Sequence, residues 1–229
     1  MKIIDFHTHI LPGIDDGSRD RDMTVQMLKV TAEQGIDTVI ATSHFYPDKM
    51  SFDHFIQERN RAMEQIADTA AACGVQVLAG AEVAFFTGIS RAEGLKPLCV
   101  EGTRLLLLEM PFRSWHKGDL QELDGILQRG YRVMLAHPER FAPFQTDRGI
   151  FSAVLDMPVL VQVNAESLVH FSTRRTALKL MRREGAVLGS DCHNLTARPQ
   201  NLLAGRRVLE KRRGAEYLRQ MDLLAEKLL

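Results

Sequence analysis

Lys2-Ile3-Ile4-Asp5-Phe6-His7-Thr8-His9 opens the chain with a short apolar run and two histidines directly behind it. The run is β-prone and about as long as a buried strand. Six further runs rich in Val, Ile or Leu repeat the form, at residues 36–42, 75–80, 104–110, 132–136, 159–163 and 186–190. They are continuous rather than alternating, which predicts strands covered on both faces. Helical patterns lie between them, at residues 20–34 (with Met23, Met27, Leu28 and Val30 on one side), 52–73, 119–129 and 173–184. Each is followed at once by a glycine (Gly35, Gly74, Gly130, Gly185), the residue that most readily ends a helix. This alternation predicts an α/β fold with a parallel sheet. Seven repeats suit a barrel or an open sheet. Residues 202–213 and 215–228 read as charged helices that cover the last strand or pack on a partner.

The composition agrees with a globular chain. It has 229 residues, 45% hydrophobic and 25% charged, which predicts one domain over residues 1–229. Twenty-nine basic and 29 acidic side chains cancel, so bulk charge predicts neither nucleic-acid coating nor attachment to an anionic membrane. No run reaches the roughly 18 apolar residues of a membrane span, so no membrane insertion is expected. The N-terminus develops no apolar core of a signal peptide, and the expected location is cytoplasmic. Cys73, Cys99 and Cys192 are too few and too scattered for a disulfide framework or a Cys-x-x-Cys zinc site. There is no internal repeat, low-complexity stretch or Gly/Ser linker.

In parallel α/β folds, functional groups gather at the carboxyl ends of the strands. The residues there are consistent: His7 and His9, then Asp15-Asp16-Gly17; Thr42-Ser43-His44; Gly80-Ala81-Glu82; Glu109; His137-Pro138-Glu139-Arg140; Asn164; and Ser190-Asp191-Cys192-His193. Five of the eight histidines thus fall on one expected rim. Imidazole nitrogen with carboxylate oxygen suits Mn, Fe or Zn. Alternate residues of an extended segment point one way, so His7 with His9, and Asp191 with His193, can each face one ion. The candidate ligands His7, His9, Asp16, His44, Glu82, Glu109, His137, Asp191 and His193 exceed the needs of one ion, and two or three fit better. Taken singly, a His-x-His is usually a surface or capping pair, and Asp15-Asp16-Gly17 can be a simple turn. Glu82 and Glu109 are harder to explain away, because buried carboxylates need partners. His54, His116 and His170 fall in helical or loop stretches and read as surface residues. Arg140 and Arg198 follow rim ligands by three and five positions and read as a phosphate fork.

This joint pattern resembles the PHP (polymerase and histidinol phosphatase) superfamily, and within it the manganese-dependent protein-tyrosine phosphatases of bacterial capsule and exopolysaccharide loci. The matching segments run from Asp5 to Arg198, and the combination of Asp-Asp-Gly, His-Pro-Glu-Arg and Ser-Asp-x-His-Asn-x-x-x-Arg is the specific part. The resemblance implies a distorted (β/α)₇ TIM-like barrel with its metal site at the C-terminal strand ends. It implies His7, His9, Glu82 and Asp191 on one ion, Glu82 bridging to a second held by Glu109 and His137, and Asp16, His44 and His193 on a third. It further implies Mn²⁺, Arg140 and Arg198 as catalytic phosphate-binding residues, and as partner the phosphotyrosine tail of a cognate tyrosine kinase. Phe45-Tyr46-Pro47 and Cys192 match no fixed position of the pattern.

Three other readings compete. Cys192 and Arg198 form a Cys-x₅-Arg, the spacing of cysteine-dependent tyrosine phosphatases. Against it, Asp191 beside the cysteine opposes a thiolate, and the intervening loop lacks glycines for wrapping phosphate. A PHP phosphatase for a small phosphomonoester, such as histidinol phosphate or a nucleotide, would use the same metals. A degenerate PHP domain that only binds a partner would need lost ligands, and here the set is intact.

Overall fold

A computed structural model describes residues 1–229. The first strand, β1 (Ile4–Thr8), pairs in parallel with β2 (Thr38–Ala41), and β2 with β4 (Gln76–Ala79). Past short bends at Thr42-Ser43 and Gly80-Ala81, the same two segments continue as β3 (His44–Phe45) and β5 (Glu82–Ala84). From β5 the parallel ladder runs through β6 (Leu105–Glu109), β7 (Arg132–Ala136), β8 (Leu160–Asn164) and β9 (Ala186–Gly189). A parallel bridge from Thr8 to Cys192, with His9 N donating to Cys192 O (2.8 Å) and Asp191 N to His7 O (2.8 Å), joins the last segment to the first. The result is a closed seven-stave parallel barrel in which two staves are bent. Every expected run lies in it, and the choice left open by periodicity falls to the barrel.

The helices form where the sequence places them. α1 (Arg21–Glu33) starts at Asp20, whose carboxylate accepts from Met23 N, and α2 (Phe52–Cys73) starts at Ser51, whose hydroxyl accepts from His54 N. Gly35, Gly74, Gly130 and Gly185 all have φ between 69° and 83°, a left-handed conformation that an L side chain resists. α3 (Lys117–Gln128) begins two residues earlier than expected, because Asp119 is its third residue and reaches back to His116 N (2.9 Å). α4 (Pro138–Phe141), α5 (Arg148–Asp156) and α6 (Ala165–Val169) were not expected. α7 (Phe171–Leu180) stops short of the expected residue 184, giving way to Met181–Arg183 turns before Gly185. α8 (Leu202–Arg213) and α9 (Ala215–Leu228) have the expected bounds and pack on the barrel. Arg206 and Asp222 form a buried paired fork between them (2.6 and 2.9 Å), and Arg132 Nη2 donates to Leu228 O.

Three apolar clusters hold the layers together. Val39, Ala41, Val161, Val163 and Leu188 face α1, α2, α6 and α8, while Leu106, Leu108, Val133 and Leu135 face α3 and α5. Ile4, Phe6, Ile40, Leu105, Leu107, Met134, Ala136 and Val187 fill the barrel itself, closed below by Ala225 and Leu228 of α9. No helix is long and apolar enough to cross a membrane.

Candidate metal centre

The barrel interior changes from hydrocarbon to ligand within one residue on two of its staves. On β1 the register slips between Asp5 and Thr8, an irregularity that adds one residue. Ile4 and Phe6 therefore line the apolar interior, and His7 and His9 take over above them. On β7, Ala136 points inward and His137 follows with φ 30°, so its imidazole also enters the pocket. His137 and Asp191 (φ 55°) are the only non-glycine residues with positive φ. Both are candidate ligands, and backbone strain concentrates at sites that need it.

Glu82 stands at the centre. Its Oε1 lies 2.8 Å from His137 Nε2, and its Oε2 lies 3.0 Å from His44 Nδ1, 3.1 Å from His7 Nε2 and 3.4 Å from His9 Nε2. Asp191 Oδ1 is 3.5 Å from the Nε2 of both His7 and His9. Glu109 Oε1 is 3.7 Å from His137 Nε2. Asp16, two-thirds exposed at the mouth, places Oδ1 3.5 Å from His44 Nε2 and 3.5 Å from His193 Nε2. The fold thus brings all nine candidates into one pocket. Three close groups emerge: His7, His9 and Glu82; His9, Asp16, His44 and His193; and His44, Glu82 and Glu109. They differ from the grouping implied by resemblance in that His9 also approaches Asp16, and His44 also approaches Glu109.

The donor chemistry fits divalent cations. His7 Nδ1 donates to Gln162 Oε1 (2.8 Å), His9 Nδ1 to Asp15 Oδ2 (2.7 Å) and His193 Nδ1 to the Asp191 carbonyl (2.9 Å). With those protons committed, each Nε2 turns a lone pair inward. His7 Nε2 and His9 Nε2 then face each other at 3.0 Å. Glu82 Oε2 and Asp191 Oδ1 are buried and accept no hydrogen bond. Lone pairs converging on buried carboxylate oxygens need a positive centre between them. Without one, protons would fill that role. Burial pushes the His7 and His9 imidazoliums down, but the charges of Glu82 and Asp191 around His7, and of Asp15 around His9, outweigh it and raise both. Burial likewise works against the Glu82 and Asp191 carboxylates, yet the surrounding imidazoles hold both well below the usual range. Glu109 is pushed up to about 7 by burial and the nearby Glu82 charge. Metal binding displaces such protons.

A chain of hydrogen bonds beneath the ligands has one permitted direction. Gln162 Nε2 donates to Asn164 Oδ1 (2.9 Å), and Asn164 Nδ2 donates to Asp191 Oδ2 (2.8 Å). The amides therefore link His7 to Asp191 from below. Asn164 N in turn donates to Glu139 Oε1 (2.8 Å). The roles of Gln162, Asp15 and Glu139 were missed in the sequence. Gln162 was the visible signal: a lone amide inside an apolar run, two residues before Asn164 and on the same strand face. Asp15-Asp16-Gly17 is a turn and a support together. Asp15 Oδ1 accepts from Gly17 N (3.0 Å), and a Cβ on Gly17 would come within 2.4 Å of the His9 backbone and Cβ.

Arg140 Nη1 and Arg198 Nη2 both reach Asp191 Oδ2, at 3.4 and 2.5 Å, and Arg198 Nη1 donates to His193 Nε2 (2.8 Å). Two guanidiniums thus meet at the pocket's edge. Cys192 does not join them. It is buried against the apolar layer, its thiol is pushed far up by burial and by the Asp5 and Asp191 carboxylates, and Sγ donates to the Asn194 carbonyl. That overturns the thiolate reading of the Cys-x₅-Arg spacing. His54, His116 and His170 are exposed and join none of the ligand groups, although His170 lines a cleft beside Arg140 and Arg198.

Known proteins resemble this chain in sequence and fold. The chain is 26% identical to the tyrosine-protein phosphatase YwqE of Bacillus subtilis, over 99% of this chain and 91% of that protein. It is 24% identical to the tyrosine-protein phosphatase CpsB of Streptococcus pneumoniae, over 96% of this chain and 94% of that protein. A crystal structure from work on YwqE and CpsB, described as unique metal-dependent tyrosine phosphatases, superposes with a TM-score of 0.86 at 25% identity, over 99% of this chain and 94% of that one. The phosphotriesterase homology protein of Escherichia coli shares the fold alone, with a TM-score of 0.57 at 12% identity over 96% of this chain and 94% of that one. Residues 3–227 match the family described as capsular polysaccharide synthesis, CpsB/CapC, and to that family the chain belongs.

Proposed function

We propose that this chain is a metal-dependent protein-tyrosine phosphatase of capsule or exopolysaccharide synthesis. Its substrate is the phosphotyrosine tail of a cognate bacterial tyrosine kinase. The protein works as one unit of residues 1–229, in the cytoplasm, with two or three Mn²⁺ ions. The observation that carries the reading is the pair Arg140 and Arg198, converging on Asp191 at the lip of the imidazole–carboxylate cluster. Kinship with YwqE and CpsB supports the choice of phosphotyrosine.

His7, His9, Asp16, His44, Glu82, Glu109, His137, Asp191 and His193 would hold the ions, with Glu82 bridging. When bound, the ions would supply Lewis acidity that acidifies water and would neutralise charge on the phosphoryl oxygens. The residues do the rest. Arg140 and Arg198 exchange their hold on Asp191 for the phosphate and stabilise its equatorial oxygens as charge builds there. The Gln162–Asn164 amides keep His7 and Asp191 in place while this happens. A tyrosine oxygen, with a pKa of about 10, leaves more readily than a serine alkoxide.

The test is hydrolysis of a phosphotyrosine peptide, with chelator and with added Mn²⁺, beside histidinol phosphate and nucleoside monophosphates. Chelator-sensitive, Mn²⁺-restored turnover that favours the peptide is expected. A preference for a small phosphomonoester would replace the substrate assignment, and undiminished activity in chelator would end the metal reading.

A further inference from the structure

Three phenylalanines lead outward from the candidate ligand His137 to the surface, and the chemistry above does not use them. The His137 ring lies 5.5 Å from that of Phe141, which is buried. Phe141 packs on Phe112 at 4.6 Å, and Phe112 meets Phe144 edge to face at 6.0 Å and 88°. Phe112 and Phe144 are 48% and 49% exposed, an unusual amount of bare aromatic surface beside a polar pocket. Arg140 joins the two regions. Its Cζ lies 5.3 Å from the centre of the Phe112 ring, while its Nη1 reaches Asp191 at 3.4 Å.

We infer that Phe112 and Phe144 form the wall that receives the aryl ring of the substrate while Arg140 holds its phosphate. The inference rests on the phosphotyrosine reading above and adds the residues that select an aromatic leaving group. A phosphotyrosine ring hangs from its phosphate through a single ester oxygen. A phosphate gripped by Arg140 therefore leaves the ring within reach of the Phe112 side chain over which Arg140 lies. The Phe112–Phe144 pair offers that ring one face and one edge, the arrangement aromatic pairs favour. The opposite flank does not suit it. A cleft of about 450 Å³ there is lined by Arg198, Ser167, His170, Ser172 and Thr173 beside Arg140, which suits polar peptide groups rather than a hydrocarbon ring. Phe112 is a specificity residue in this scheme and touches no proposed ligand atom.

The test compares two competitive inhibitors, phenylphosphonate and methylphosphonate, on the Mn²⁺-loaded full chain, with affinities also read by calorimetry. Phe112→Ala should weaken phenylphosphonate about tenfold and methylphosphonate less than twofold. Phe144→Ala should act in the same sense with a smaller effect, and Phe112→Trp should keep the phenyl preference. Equal weakening of both phosphonates would mean that Phe112 acts only by positioning Arg140, and no change in either would remove it from the site; both results overturn the inference. Both variants replace half-exposed side chains, and a thermal melt with metal analysis confirms the fold. If wild-type protein shows no phosphotyrosine hydrolysis, the functional reading fails by itself. The phosphonate ratio still judges the wall by direct binding, and wild-type protein that binds both phosphonates equally would overturn it.

Discussion

Asp15 Oδ2 accepts a hydrogen bond from His9 Nδ1 at 2.7 Å, and the same oxygen accepts one from the His44 backbone N–H at 2.8 Å. One carboxylate, outside the proposed ligand set, therefore orients two ligand-bearing segments. Outer partners of this kind are worth 10–100-fold in metal affinity. Asp15→Ala should weaken Mn²⁺ binding by about that factor and also lower the melting temperature of the metal-free protein, because the His9, His44 and Gly17 N–H groups lose their acceptor. Metal titration followed by calorimetry measures it, and wild-type affinity in the variant would remove Asp15 from this role.

Removing the ions should cost stability as well as activity. A ligand that binds only the folded state at about 1,000 times its Kd stabilises by about 4 kcal/mol. Chelator should therefore lower the melting temperature by several degrees, and Mn²⁺ should restore it. Glu82→Gln should abolish most of that metal-dependent rise and reduce turnover by about a thousandfold, because a neutral amide replaces the carboxylate placed between the imidazoles. A variant that keeps both the thermal response and the activity would displace Glu82 from the centre.

Cys192→Ser should retain most of the wild-type activity. The thiol is buried and held protonated, and its sulfur points to a backbone carbonyl. A hydroxyl can make the same hydrogen bond, at a stability cost of about 1 kcal/mol. Complete loss of turnover with metal content intact would return the covalent mechanism to consideration.

Gly17→Ala should damage the site without replacing a candidate ligand. The added methyl would lie 2.3 Å from the His9 carbonyl oxygen, a distance that only backbone movement can relieve. We expect at least a tenfold fall in kcat/KM together with weaker metal binding. An unchanged enzyme would show that His9 tolerates displacement.

Acid stability should depend on Asp119. Burial alone would raise its pKa, but the Arg113 fork at 2.7 and 2.8 Å and the His116 N–H lower it below the ordinary value. A depressed folded pKa gives stability that is complete above the unfolded pKa of about 4 and is lost as pH falls through the folded value. Asp119→Asn should therefore lose about 1 kcal/mol at pH 7, the scale of a helix cap, and show a shallower loss toward pH 3. Urea melts at the two pH values measure both, and parallel acid limbs would refute the linkage.

The sequence made the staves and the candidate ligands legible for one reason: each apolar run ends in, or is soon followed by, a side chain too polar to be buried alone. The bends at Thr42-Ser43 and Gly80-Ala81 were not legible, since one apolar run reads the same whether its strand is straight or broken. α5 was missed because Arg148–Asp156 follows no strand directly and lacks a terminal glycine, although Asp147 caps it. Gln162 stands out as the lone amide of its run, but the face it takes is not legible, because the strand is buried on both faces and periodicity does not distinguish interior from exterior. Which ligands share an ion depends on side-chain rotations across the barrel, and spacing along the chain carries no record of those.

The seam between Thr8 and Cys192 has a bearing on biosynthesis. His7 and His9 are translated well before Asp191 and His193, with nearly all of the barrel between them. Until the last stave docks beside the first, the early histidines lack Asp191 and His193. A nascent chain that lacks Asp191 and His193 thus offers cations only a partial set of donors, and full loading must wait for the last stave. Pairing of such distant segments is intrinsically slow, so the Thr8–Cys192 seam is the step expected to gate completion of the ligand set.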